Sequence, residues 1–90
     1  EVKAGVFGFS VNTHALVGGG LELVKVEEES DAWAKGLRKG DIIIAANGQP
    51  VTSTQDLIRL KMSLGPGDIV TLLCMRDGES FLVDVALIER

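Results

Sequence analysis

The side chains that most often carry out covalent chemistry in enzymes are scarce in this chain. It has a single histidine, His14, and a single cysteine, Cys74. One His and one Cys cannot form a Cys/His zinc site, and no serine stands in a Gly-x-Ser-x-Gly motif. Cys74 falls within residues 69–75, a sequence typical of a buried strand with an inert thiol. We therefore expect no catalysis by this chain alone, and no metal or cofactor.

Charge and length limit the remaining classes of function. Nine Lys and Arg against 13 Asp and Glu give a net charge of -4, and no basic patch stands out, which argues against nucleic acid as a partner. The longest apolar runs, such as 42–46, are far too short to insert into a membrane. Ninety residues allow one domain, and the hydrophobic fraction of 46% predicts a packed core. We expect residues 1–90 to be a single domain cut from a longer protein.

The first half of the chain predicts three strands and a short helix. Residues 6–11 combine β-branched and aromatic residues around Gly8 and predict a short strand. Residues 21–26 predict a second strand, but their apolar side chains do not share one parity, which indicates burial on both faces or a bulge. A short helix is expected over 31–35, capped by Ser30 or Asp31 and ended by Gly36. The apolar run 42–46 then predicts a central strand.

The second half predicts a longer helix followed by a hairpin. Asn47-Gly48 is a strong two-residue turn signal. Ser53 followed three residues later by Asp56 matches a helix-capping pattern, and this helix is expected to end near Leu64. Strands over 68–76 and 80–88 would flank a tight turn at Asp77-Gly78. The fold class is therefore α+β, with about five strands in a partly closed sheet and one short and one long helix.

The long helix has two apolar stripes about 100° apart. One contains Leu57, Leu60, Lys61 and Leu64, and the other contains Thr54, Ile58 and Met62. Such a helix covers the core with one apolar face and is expected to contact a different surface with the other.

Two segments of the chain resemble PDZ domains. Residues 30–51 resemble the central PDZ signature, in which Gly36-Leu37 and Gly40-Asp41 precede Asn47-Gly48, and Val6-Phe7-Gly8-Phe9 resembles the loop that binds a ligand's carboxylate. The resemblance covers almost the whole chain. Only five residues precede this loop, and it begins with Val6 where signalling PDZ domains usually have Gly. Both features are similar to the permuted, protease-associated type of the HtrA/Deg serine proteases, in which the closing strand replaces a leading one.

The resemblance implies a fold and a binding mode. The fold would be a PDZ-like, partly open antiparallel β-barrel or sandwich, capped by the two helices. A protein's carboxyl-terminal or extended segment would add as a strand beside the strand that contains Ser10 and Val11. Its carboxylate would be bound by the loop at Phe7, Gly8 and Phe9, with Lys3 adding a favourable charge nearby.

The same resemblance implies a pocket for the ligand's last side chain. Val6, Ser10 and Val11 would line the peptide strand and pocket on one side. On the helix, Leu57, Leu60 and Lys61 are expected to line it, with Ile58 and Met62 as the alternative stripe. An apolar pocket predicts Val, Leu, Ile, Phe or Ala at the ligand's end, and Lys61 would tolerate an acid upstream.

Two roles in a larger protein remain open from the sequence. The first is a regulatory or substrate-recruiting domain of a larger serine protease or metalloprotease, in the periplasm, the cell envelope or an organelle. The alternative is a structural interaction domain of a secretion or protease assembly, with a closed groove. Trp33, the only tryptophan, would either cover the edge of the core or dock the neighbouring protease domain.

Overall fold

The elements follow one another in an order close to that predicted from the sequence. The structure is a computed structural model that describes residues 5–12, 19–65 and 67–89. Lys3 and His14 lie outside these ranges. The elements are β1 (Gly5–Val6), β2 (Phe9–Val11), β3 (Leu21–Val26), α1 (Asp31–Ala34), β4 (Ile42–Ala46), β5 (Gln49–Pro50), α2 (Thr54–Ser63), β6 (Ile69–Arg76), β7 (Glu79–Ala86) and β8 (Ile88–Glu89).

Antiparallel pairing joins these strands into one large sheet and one small one. The large sheet has six strands, in the order β2-β3-β4-β6-β7, with β5 paired to β4. The small sheet pairs β1 with β8, with Val6 opposite Ile88. As predicted, β4 is central, and its β-branched side chains suit a strand with a neighbour on each side.

The predicted α+β class is confirmed, and two long predicted strands are each divided. A turn at Phe7-Gly8 separates β1 from β2 within the expected strand 6–11. The expected strand 80–88 becomes β7, which pairs with β6, and β8, which leaves that ladder for β1. These divisions, together with the two-residue β5, raise the number of strands from about five to eight within residues 5–12, 19–65 and 67–89.

The core lies between the large sheet and the helices. Among the residues whose side chains the structure describes, sixteen form it: Phe7, Leu21, Leu23, Val26, Ala32, Leu37, Ile43, Ala46, Val51, Leu57, Val70, Leu72, Cys74, Val83, Val85 and Leu87. Helix α2 contributes only Leu57 to this buried set, so most of its surface lies outside the core. Trp33 is half-buried at the core edge, and the Arg38 guanidinium lies 3.6 Å from the centre of its ring.

A β-bulge in β3 explains why its apolar residues do not share one parity. Ser10 in β2 pairs with Lys25, but the next residue, Val11, pairs with Leu23. Val24 is therefore the extra residue, opposite no single partner in β2. This insertion keeps both Leu23 and Val26 buried. Of the two alternatives indicated by the sequence, the bulge is the one found.

Both predicted two-residue turns have the backbone that their sequences favour. Asn47 and Gly48 have φ of 50° and 79°, and Asp77 and Gly78 have φ of 52° and 81°. Positive φ at both central residues defines the type I′ turn, which matches the twist of antiparallel strands. The turns therefore fix the registers of β4 with β5 and of β6 with β7.

The two helices begin in different ways. Ser30 caps α1: its Oγ accepts a hydrogen bond from the Trp33 amide at 3.2 Å and donates one to the Glu27 carbonyl at 2.6 Å. The expected capping bond of Ser53 is wrong, since its side chain makes no bond to α2. The Asp56 carboxylate instead reaches past Ser53 and accepts bonds from the amide and hydroxyl of Thr52, at 2.9 and 3.1 Å.

Two further findings concern the ranges 5–12, 19–65 and 67–89. No helix in them has the length and apolar character needed to cross a bilayer. No three His, Cys, Asp or Glu side chains in them are grouped so that they could hold a metal ion.

Candidate functional site

Strand β2 forms an open edge of the large sheet. In the part of the chain that the structure describes, β3 is its only partner. The Gly8 carbonyl accepts from the Glu27 amide at 2.9 Å, and the Asn12 amide donates to the Glu22 carbonyl at 2.9 Å. Because main-chain groups alternate in direction along a strand, those of Phe9 and Val11 point away from β3. They form the hydrogen-bonding row of the open edge.

A turn that requires glycine leads into this edge. Gly8 has φ of 82°, a conformation that residues with a Cβ rarely adopt. A Cβ at Gly8 would also lie 2.3 Å from the Cβ of Ser30, the residue that caps α1. The turn is thus pressed against the beginning of α1, and no larger residue fits there without moving the backbone.

Two phenylalanines flank this glycine and stack on each other. The ring centres of Phe7 and Phe9 are 5.1 Å apart, with 13° between the ring planes. Phe7 is buried in the core, whereas Phe9 is partly exposed and packs against the core. The stacked pair forms a rigid apolar floor at the start of β2.

Helix α2 lies across from the open edge and forms a groove with it. The groove has a volume of about 230 Å³. Residues of the turn and of β2 line one side, and one stripe of α2 lines the other: Phe7, Phe9, Ser10, Val11, Thr54, Leu57, Ile58 and Lys61. Among the described residues that line it, Lys61 is the only charged one.

Helix α2 runs antiparallel to β2. After α2, Gly67 donates a hydrogen bond to the Leu87 carbonyl at 2.9 Å, and β8 follows directly and pairs with β1. Strand β1 leads into the turn at Gly8, so the carboxyl end of α2 lies near that turn. Lys61 is in the last turn of α2, at this end of the groove, and Thr54 is at the far end.

The structure brings together most of the predicted site residues. Phe7, Phe9, Ser10, Val11, Leu57 and Lys61 line one groove, and Gly8 forms the turn at its end. The backbone of Val6 belongs to β1, directly before the turn. Lys3 falls outside the described residues. Lys61 lies in the last turn of α2, and its expected tolerance of an acid upstream in the ligand stays a prediction.

Leu60 is not brought to the groove. It lines a second cavity of about 320 Å³ on another side of α2, together with Ala46, Pro50 and Val51. Of the alternative stripe, Ile58 lines the groove, whereas Met62 is 81% exposed and is not among its lining residues. The groove-facing stripe is Thr54, Leu57, Ile58 and Lys61, and it crosses both predicted stripes. Thr54, Leu57, Ile58 and Lys61 are spaced i, i+3, i+4, i+7, which places them on one face of a helix. This spacing is the sequence feature that could have identified Thr54 as a groove residue.

Cys74 is fully buried in β6. Burial, reinforced by the nearby Asp41 carboxylate, raises the pKa of the Cys74 thiol to about 12. A thiol with such a pKa stays protonated near neutral pH and is a poor nucleophile.

Comparison with known proteins agrees with this geometry. Residues 5–87 match the family model for the PDZ domain. A probable periplasmic serine endoprotease, DegP-like, of Pseudomonas savastanoi pv. phaseolicola is 38% identical over 60 residues, which are 67% of this chain and 12% of that protein. The chain thus spans about an eighth of the length of this curated relative.

Two solved structures share the fold. The HtrA-type protease AlgW with tripeptide superposes with a TM-score of 0.84 at 20% identity, covering 100% of this chain and 33% of the other. The HtrA3 PDZ domain bound to a phage-derived ligand (FGRWV) superposes with a TM-score of 0.83 at 20% identity, covering 98% and 88%. With the matched family model, the relative and the groove between β2 and α2, the chain belongs to the PDZ family and is a PDZ domain of the HtrA/DegP serine protease type.

Proposed function

We propose that the groove binds the carboxyl-terminal segment of a protein as an added β-strand, and that the chain is a regulatory or substrate-recruiting domain of a larger serine protease. One observation carries the proposal: the open edge of β2 faces an apolar stripe of α2 across a groove that ends at the glycine turn.

Strand addition is supported by the hydrogen-bonding row of β2. The main-chain groups of Phe9 and Val11 point into the groove, so an antiparallel peptide there would exchange hydrogen bonds with both residues. Such bonds do not depend on the ligand's side chains. They supply affinity, and selectivity comes from the pocket.

The glycine turn is the proposed site for the terminal carboxylate. Successive amides at Phe7, Gly8 and Phe9 offer donors where the absence of a Cβ allows close approach. Lys61, at this end of α2, contributes a positive charge and offsets the partial negative charge of the helix's carboxyl terminus. The sequence predicted that Lys3 would place a positive charge near the ligand's carboxylate. Within the described residues, Lys61 is the candidate for this role.

The last side chain of the ligand would enter the apolar part of the groove. Phe9, Leu57 and Ile58 line this part, and its volume suits an aliphatic or phenyl side chain. The HtrA3 PDZ domain, a relative in fold, was solved with a ligand that ends in Val. We therefore expect Val, Leu, Ile, Phe or Ala at the ligand's end.

The test measures binding of fluorescent decapeptides that end in Val or Phe. We expect dissociation constants in roughly the micromolar range for peptides with a free carboxyl terminus, and much weaker binding after terminal amidation. Ile58→Gln should weaken binding about ten-fold, because Ile58 lines the groove. Met62→Gln is the matched control, since Met62 is on the same helix but outside the groove, and it should bind like the wild type.

Two outcomes would overturn the proposal. One is binding that is indifferent to amidation. The other is an Ile58→Gln variant that binds as tightly as Met62→Gln.

A further inference from the structure

The bulge in β3 gives the sheet's outer surface a charge next to the groove. Because Val24 is the inserted residue, both Val24 and Lys25 are exposed, on the surface that faces away from the core. Lys25 pairs directly with Ser10 of the edge strand. In a regular ladder the residue after Val24 would point into the core, so the bulge is what exposes this cation.

A carboxylate lies farther along the same surface. Leu21 and Leu23 are buried, so Glu22, which alternates with them, points outward. Glu22 is opposite Asn12, whose amide donates to its carbonyl. Strand β3 therefore presents a cation beside Ser10 and an anion beside Asn12. In the described part of the chain, the side chains of Lys25 and Glu22 form no ion pair.

These charges are within reach of a peptide bound to β2, an inference that rests on the proposed function. If the ligand's last residue lies beside Phe9 and its third-last beside Val11, the penultimate residue is opposite Ser10 and the fourth-last is opposite Asn12. The side chains of those two ligand residues then point to the outer surface. Neighbouring strands are about 4.8 Å apart, so the ligand backbone is about 10 Å from β3.

Side-chain lengths bridge this distance. Ser10 is small and exposed, so it does not block a Lys25 side chain that extends across it toward an acidic penultimate side chain. Lys61 is in the groove on the inner side of β2, away from these two ligand positions. The outer surface therefore distinguishes ligand residues that the groove itself does not contact.

We propose that this domain selects ligands by charge order: an acidic residue at the penultimate position, beside Lys25, and a basic residue at the fourth position from the carboxyl end, beside Glu22. The preferred ligands would then carry a base, any residue, an acid and an apolar terminal residue, in that order.

The experiment compares two isomeric peptides with the same composition and net charge. One ends in Lys-Ala-Glu-Val and the other in Glu-Ala-Lys-Val, each with a free carboxylate and an amidated counterpart. We expect the wild type to bind the first peptide about ten-fold more tightly at low salt. Each of the two exposed ion pairs, at Lys25 and at Glu22, should contribute roughly three-fold in affinity. This preference should shrink in 0.5 M salt, because exposed pairs are screened at about that ionic strength.

Charge reversal in the protein completes the test. The double variant Glu22→Lys with Lys25→Glu keeps the net charge and should invert the preference. The control double variant Arg59→Glu with Glu79→Lys also keeps the net charge; Arg59 lines the second cavity and Glu79 begins β7, so the preference should not change.

The outcomes separate this inference from the proposed function. Equal binding of both isomers, with carboxylate dependence retained, overturns the charge order and leaves the groove's function standing. A preference that the Glu22 and Lys25 reversal does not invert overturns the assignment to these residues. Failure of both isomers to bind, with or without a free carboxylate, overturns the proposed function itself.

Discussion

At the scale of single residues, one buried carboxylate, that of Asp41, ties the loop between α1 and β4 to strand β6. Asp41 is 2% exposed and accepts bonds from Arg76 Nε at 2.7 Å, from Arg76 Nη2 at 2.6 Å and from the Arg38 amide at 2.9 Å. Arg76 also donates to the Gly36 carbonyl. Burial raises the pKa of Asp41, but the hydrogen bonds from Arg76 and the Arg38 amide outweigh burial and hold the pKa below its ordinary value.

Replacing Asp41 tests this network. Asp41→Asn should lower the free energy of unfolding by about 2 kcal/mol at pH 7, because it removes one partner of a buried ion pair whose Arg is half-exposed. The wild type should lose this stabilisation as the pH falls below about 4 toward the lowered pKa, since the unfolded chain is protonated first. Urea unfolding between pH 7 and pH 2 measures both effects.

The control for Asp41 is Glu28→Gln, an exposed carboxylate whose loss should change stability by less than about 0.5 kcal/mol. Equal acid sensitivity of Asp41→Asn and the wild type would contradict the assigned role.

At the scale of elements, the beginning of α1 connects the helix to the proposed carboxylate turn. Ser30 caps α1, and its Cβ occupies the space that a side chain at Gly8 would need. A four-residue helix has little stability of its own, so its position depends on such contacts. Asp31 adds another contact, since its carboxylate accepts from the Ala86 amide of β7 at 2.8 Å.

Two serines at equivalent capping positions provide a matched comparison. Ser30→Ala should cost about 1 to 2 kcal/mol of unfolding free energy, because it removes a bonded N-cap and leaves the Trp33 amide without this partner. Ser53→Ala should lower the free energy of unfolding by only about 0.3 kcal/mol, since the Ser53 side chain makes no capping bond. Thermal and urea unfolding measure the difference, and similar losses in the two variants would reject the distinction.

At the scale of the whole molecule, the two ends of the described chain meet beside the groove. Strands β1 and β8 pair, with Gly5 opposite Glu89 and Val6 opposite Ile88, directly before the Phe7-Gly8 turn. The pair is separate from the six-stranded sheet. Its position indicates that it holds the turn in place, while the sheet and core carry most of the stability.

Removing residues 88–90 tests this division of roles. The shortened chain should still unfold cooperatively, with a loss of about 1 kcal/mol, but should bind carboxyl-terminal peptides about ten-fold more weakly because the turn loses the partner of β1. Calorimetric titration and urea unfolding measure the two quantities. A chain lacking only Arg90 is the control and should behave like the wild type. Unchanged affinity, or loss of cooperative unfolding, would contradict the prediction.

Local patterns in the sequence were enough to predict most elements. Turn residues such as Asn47-Gly48 and Asp77-Gly78 act through their own backbone preferences, so their conformations follow from the sequence. The apolar side chains of residues 21–26 do not alternate regularly, and this irregularity likewise indicated that the strand could not be a simple one with a single buried face. The division of the last predicted strand did not follow, because it depends on the distant partner β1.

The site was predictable where it rests on local sequence and not where it depends on packing. The sequence by itself determined a strand beside Gly8 and the amphipathic helix, since each is specified by neighbouring residues. The loop at Gly8 was implied by the resemblance to PDZ domains, and the edge position of β2 follows from strand pairing. Tertiary structure alone decided that α2 faces the groove with Ile58 and Lys61 and turns Leu60 toward another cavity. A helix with two apolar stripes 100° apart can rotate to bury either one, and only its packing against β2 and the core fixes that rotation.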